Sequence, residues 1–235
     1  MKFSKNLLVA AGLVVAMAPA MADVVSLNFE GINASYPSTN YANISNFYNG
    51  GTSSQGTTGT NYGISFGSNA LAICLNTLTG ECSNTSRGGL APGSDKGGLF
   101  FLDGSETYMN VAAGFTTGFS FNYVSTSFAG AVYVYDGANG TGNILATLNL
   151  APNDGPCPGY SGSFCPFSAS GVSFSGTAHS IGFAGVANQI VFDDVTFGSA
   201  IPGPAVPAVP EPSTYALMAL GMSVIGVFVR RRKSA

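Results

Sequence analysis

The sequence predicts an all-β fold, a single antiparallel β-sandwich of jelly-roll-like form. Three observations predict it. The stretch from Asp23 to Gly198 is rich in Phe, Tyr, Val, Thr and Gly, and shows no long apolar pattern of helical period. Several segments alternate apolar and polar residues with period two, as half-buried antiparallel strands do. The segments are short and separated by turn-forming residues at close intervals, which suits a sandwich of some ten strands.

Taken in order, the expected strands are 24–30, 62–66, 70–74, 99–102, 107–111, 117–124, 131–135, 144–150, 172–174, 180–184 and 189–197. In the first, Val25, Leu27 and Phe29 share one face and Ser26 and Asn28 the other. In the sixth, Phe119, Phe121 and Tyr123 oppose Ser120 and Asn122. In the seventh, Val132 and Val134 oppose Tyr133 and Tyr135. Between the seventh and eighth lies Asp136-Gly137-Ala138-Asn139-Gly140-Thr141-Gly142, which supplies Asn and Gly for positive-φ positions. The Gly/Thr/Ser-rich run 49–60 reads as a mobile loop.

Both ends of the chain read as targeting segments. Lys2 and Lys5 precede an apolar stretch, Leu7 to Ala18, and then Ala20-Met21-Ala22. This is the pattern of a secretory signal peptide, residues 1–22, cut after Ala22. The β domain is assigned to 23–198. Residues 199–208 alternate Pro with small apolar residues and form a stiff, extended spacer. The tail 209–235 has three parts: Pro210-Glu211-Pro212, an uncharged apolar run 215–229, and Arg230-Arg231-Arg232-Lys233. A Pro-Glu-Pro neck cannot continue a helix or a central strand, so it stays extended. The apolar run predicts a transmembrane helix of roughly 22 Å at about 1.5 Å per residue. That is short of a hydrocarbon core of ~30 Å. The basic cluster is a cytoplasmic stop.

This three-part tail resembles the PEP-CTERM sorting signal of Gram-negative bacteria. The resemblance implies an exported protein, held transiently in the inner membrane and processed near the motif by an exosortase-type membrane protease. It further implies a final place at the cell surface or in the extracellular matrix, and an association with exopolysaccharide.

Setting the targeting ends aside changes the charge. Between Asp23 and Val229 only Arg87 and Lys96 stand against eleven acidic residues, a formal net charge of −9. A domain without a basic patch is not built for nucleic acid. The four cysteines form two local pairs, Cys74–Cys82 and Cys157–Cys165, each enclosing seven residues. In an oxidising compartment both pairs are expected as disulfides. A loop this short contributes about 2–3 kcal/mol in the loop-entropy model.

Motifs for catalysis are missing. His179 is the one histidine, and its neighbour Ser180 points to the opposite face of a predicted strand. No G-x-S-x-G, P-loop, H-E-x-x-H or EF-hand pattern occurs. The expectation is therefore a non-enzymatic protein. The most suggestive polar feature is Asp193-Asp194 inside the apolar strand 189–197. Strict alternation puts Asp193 on one face with Val191, Val195 and Phe197. A carboxylate buried there needs a cation, hydrogen-bond donors, or a bulge that turns it away. The pattern resembles the last strand of carbohydrate-binding-module-like jelly rolls. That resemblance implies a structural calcium held by Glu30, Asp193 and Asp194.

Two other functions compete with the matrix protein. A carbohydrate-binding module would need an exposed aromatic platform, from Tyr36, Tyr41, Phe47 and Tyr48 or from Tyr133 and Tyr135. A secreted polysaccharide hydrolase ranks last.

Overall fold

Aromatic and β-branched residues spaced two apart favour pleated strands over helix, and they dominate the observed architecture. The computed structural model describes residues 24–35, 38–75, 82, 96–156 and 164–203. The strands are β1 (Val25–Leu27), β2 (Tyr41–Asn43), β3 (Ile64–Phe66), β4 (Leu71–Cys74), β5 (Gly97–Phe100), β6 (Glu106–Phe115), β7 (Gly118–Ser125), β8 (Gly130–Tyr135), β9 (Ile144–Leu150), β10 (Ser168–Ser173), β11 (Ala178–Ala184) and β12 (Ile190–Phe197). Among the described residues the one helical element is a 3-10 turn, Ala138–Gly140, and no helix is long and apolar enough to cross a membrane. The signal peptide and the span 215–229 lie outside the described residues.

The strands form two sheets, antiparallel throughout. The first runs β10-β7-β12-β5-β4-β2, with β1 also on β12, and the second runs β3-β6-β11-β8-β9. From β5 to β12 the chain passes repeatedly between the two. The inner faces meet through phenylalanines. Phe183 of β11 packs 4.8 Å from Phe192 of β12 and 6.0 Å from Phe119 of β7, ring centre to ring centre, and all three are fully buried.

The central strands of the first sheet depart from the half-buried expectation. Every residue of β7 and of β12 is buried. A second apolar cluster explains it. Ile73, Leu75, Phe100, Val124, Phe167 and Val191 pack together on the outer side, with Phe164 against them. Ser120 of β7 is covered differently, by the exit of the chain. Its Oγ donates to the Ser199 carbonyl at 3.0 Å, Gly198 N donates to the Gly118 carbonyl at 2.9 Å, and Gly203 N donates to Thr196 Oγ1 at 3.4 Å. Only glycine permits this approach at 171, where a Cβ would stand 2.1 Å from the Ala200 carbonyl oxygen. Residues 199–203, the first part of the stretch assigned to a stiff, extended spacer, thus stay strapped to the domain.

The run 49–60 is more ordered than a mobile loop. Isolated bridges pair Asn49 with Asn61 and Thr52 with Thr58, and buried Ser53 donates to the Ile32 carbonyl at 2.9 Å. Strand β2 was not expected from sequence. It is three residues long, and its Tyr41 ring leans on Phe100 at 5.0 Å. Cys74 and Cys82 are disulfide-bonded as expected. Cys165 is also disulfide-bonded, and Cys157 lies outside the described residues.

Candidate functional site

The acid pair sits at a change of partner. On one edge of β12, Phe192 pairs with Leu99 of β5, and three residues later Val195 pairs with Leu27 of β1. Asp193 and Asp194 span the gap. On the other edge Asp193 pairs with Asn122 and Thr196 with Ser120, so Asp194 and Val195 face one residue, Phe121. This is a β-bulge, with Asp194 in the left-handed region at φ 48°. The bulge flips the alternation. Ile190, Phe192, Val195 and Phe197 all enter the main core, while Val191 enters the second cluster. Asp193 therefore shares a side with Val191 but not with Val195 and Phe197, which corrects the sequence reading.

Both aspartates are buried, and each accepts from a donor. Asp193 Oδ1 takes the Asp194 backbone N–H at 2.7 Å, and Asp194 Oδ2 takes Asn122 Nδ2 at 2.8 Å. Glu30 performs a related task where β1 ends. Its Oε1 accepts the backbone N–H groups of Lys96 at 2.8 Å and Gly97 at 2.7 Å, fastening the first strand to the start of β5. Nearby, Phe29 at φ 54° donates its N–H to the Tyr48 hydroxyl at 3.1 Å. Burial, with added repulsion from Asp193 and Glu30, holds the Tyr48 phenol well above its ordinary range. Each carboxylate thus has at least one N–H donor, and the bulge turns Asp193 away from the main core. Among the described residues no group of three or more His, Cys, Asp or Glu side chains could hold a metal ion.

The second sheet carries a different kind of site on its outer face. Val132 and Val134 are fully buried, while Tyr133 and Tyr135 point away from the core and stay partly exposed. Their rings lie 6.1 Å apart, tilted by 52°. Across β11, Gly182 pairs with both Tyr133 and Tyr108. With no side chain there, the Tyr108 and Tyr135 rings close over the buried Gly182 backbone, with Tyr133 beside them. A Cβ at Gly182 would meet Tyr135 at 3.2 Å, Tyr108 at 3.3 Å and Glu106 Oε2 at 3.6 Å. The Tyr108 hydroxyl donates to Glu106 Oε1. Partial burial first, then the Glu106 carboxylate, raise the Tyr108 and Tyr135 phenols, so both keep their protons at neutral pH.

The 3-10 turn closes one side of this patch. Asn139 and Gly140 take positive φ, 53° and 70°, as the Asn-Gly pair predicts. Asn110 Nδ2 donates to Asn139 Oδ1 at 2.8 Å, and Asn139 N donates to Asn110 Oδ1 at 2.7 Å. Ser180 Oγ donates to the Gly137 carbonyl at 2.5 Å and accepts from Gly140 N at 3.0 Å. Ser180 is thereby committed to holding the turn. Asp136 braces the turn's other end, accepting from Asn143 N at 2.6 Å and Asn143 Nδ2 at 2.8 Å. Those two bonds hold its carboxyl below the usual carboxylate range. Beyond the turn lies an open cleft of about 760 Å³, lined by Ser45, Asn46, Ser65, Asn110, Asp136, Asn139 and His179 among others.

The aromatic candidates now separate. Phe47 and Tyr48 are buried, and Tyr41 packs on Phe100. Tyr36 lies outside the described residues. Tyr133 and Tyr135 remain on an open face, and they gain Tyr108 and Gly182, which sequence reasoning missed. The alternation of Tyr108 with Thr107 and Met109 placed it on a face, but its partners depend on cross-strand register.

No curated protein matches the chain. Among solved structures, the K2 cleaved adhesin domain of Lys-gingipain is similar at 12% identity with a TM-score of 0.40, over 74% of this chain and 98% of that one. The tail gives the more specific result: residues 208–233 of this chain are a PEP-CTERM protein-sorting motif.

Proposed function

We propose that this chain is a non-enzymatic protein of the cell surface or extracellular matrix, exported and then sorted through its tail by an exosortase-type membrane protease. The sorting motif at 208–233 carries the reading. In this proposal residues 1–22 direct passage through the inner membrane and are removed after Ala22. Residues 215–229 hold the intermediate in that membrane, and Arg230 to Lys233 stop transfer. The mature domain then lies outside, in contact with exopolysaccharide. The finer fold assignment, a jelly roll, belongs to the same proposal. It is supported by the strand orders β5-β12-β7-β10 and β6-β11-β8-β9, which interleave eight consecutive strands between two sheets.

Replacing Pro210-Glu211-Pro212 by Ala-Ala-Ala tests the sorting step. The variant is expected to cross the inner membrane but accumulate there unprocessed, while the wild type reaches the surface or the medium. Identical distribution of the two proteins would refute it. A second reading, a carbohydrate-binding module, is favoured by one observation, the outward-facing Tyr133 and Tyr135.

A further inference from the structure

The outer face of the second sheet has a composition that restricts its ligand. Tyr108, Tyr133 and Tyr135 present ring surface around Gly182, whose backbone they cover. Tyrosine combines an apolar ring with a hydroxyl that can donate and accept, and it does so with few rotatable bonds. Such a surface suits a partner with one apolar face and a rim of hydroxyls. A pyranose ring has that form, with C–H bonds on its faces and hydroxyls around its edge. Gly182 lets the Tyr108 and Tyr135 rings lie close over its buried backbone, where a side chain would push them apart.

Charge narrows the class further. The nearby ionisable side chains are Glu106, which accepts from Tyr108, Asp136, held by Asn143 at the far side of the turn, and His179, which lines the cleft with Asp136. The two carboxylates are acceptors for sugar hydroxyls and repel anions. The domain as a whole, residues 23–198, sets ten acidic residues against Arg87 and Lys96, a net formal charge of −8. A uronate or phosphate-bearing polymer would meet net repulsion. Asn139 and Gly140 stand between the tyrosines and the polar cleft, so a chain longer than one ring would pass from aromatic contacts to Asn110 and Asn139.

We propose that Tyr108, Tyr133 and Tyr135, arranged about Gly182, bind an uncharged glycan chain. This deepens the surface-protein reading above and rests on it for the setting in which such a polymer is met.

The test uses the processed full-length protein recovered from cells, run in native gels containing dextran, mixed-linkage β-glucan, galactomannan or alginate. At least one neutral polymer is expected to retard the wild type, and alginate is not. Tyr133→Ala with Tyr135→Ala is expected to weaken retardation at least tenfold. Gly182→Ala sets a methyl against the Tyr135 and Tyr108 rings and displaces them, and is expected to weaken it as well; matching melting curves for each variant and the wild type guard against a folding defect. Tyr133→Phe should retain most of the binding. The proposal is overturned if no neutral polymer retards the wild type, if the Gly182 and tyrosine variants bind as the wild type does, or if alginate is preferred. Tail processing is read separately by mass, so loss of the glycan site and loss of the sorting reading are distinguishable.

Discussion

Glu30→Ala is expected to be the most informative substitution for the fold. One carboxylate oxygen accepts two backbone N–H groups, at 2.8 Å from Lys96 and 2.7 Å from Gly97. The bonds join residues 66 and 67 positions apart. Their loss also frees the turn where Gly97 lies so close to Phe29 that a Cβ would stand 2.3 Å from the Phe29 carbonyl oxygen. A hydrogen bond to a charged group contributes about 1.5–3 kcal/mol. Glu30 is partly exposed, so each bond is taken at ~1–2 kcal/mol and the pair at ~2–4 kcal/mol. For a domain of this size that lowers the melting temperature by roughly 5–15 °C. Glu30→Gln keeps an acceptor without the charge and should lose about half as much. The chain has no tryptophan, so far-UV circular dichroism is the assay. A Glu30→Ala protein melting within about 1 °C of wild type would refute the argument. The same melts in calcium and in chelator are expected to coincide, because Glu30, Asp193 and Asp194 already accept from N–H donors. A calcium-dependent rise that Glu30→Gln removes would instead place a cation there.

Other expectations follow from single contacts. Asp136 has a folded pKa below its unfolded one, so its stabilisation is complete above the ordinary aspartate value and fades as pH falls through the folded value. Asp136→Ala should therefore be less stable than wild type at pH 7, and the difference should narrow as pH falls through the folded value in pH-dependent melts. Gly171→Ala drives a methyl against the Ala200 carbonyl, and is expected to cost about 1–3 kcal/mol and to speed proteolysis within 199–203. Tyr48→Phe leaves the buried Phe29 N–H without its acceptor and should cost about 1–3 kcal/mol in denaturant titration.

The strands with a clean alternation were legible because one periodicity reports one buried face. The Val132/Val134 and Tyr133/Tyr135 split appears in β8 as read. Reading failed where a second contact changed the rule. Ser120 and Asn122 look like solvent-facing residues, yet both are buried, Ser120 under the returning chain at Ser199 and Asn122 against Asp194. The face of Asp193 was misassigned because a bulge adds a residue without any local mark except the acid pair itself. β2 is too short to carry a period. The tyrosine patch was half visible: Tyr133 and Tyr135 follow from alternation within one strand, but Tyr108 and Gly182 join them through the β8-β11-β6 register, which no local pattern encodes.

The central claim is that residues 208–233 direct sorting and are then removed. Intact-mass measurement of the protein recovered from the cell surface or the culture medium tests it most directly. The account predicts a chain that begins at Asp23 and has lost the apolar run and the basic cluster. A mature mass that still includes Arg230 to Ala235 would contradict it and make the tail a permanent anchor.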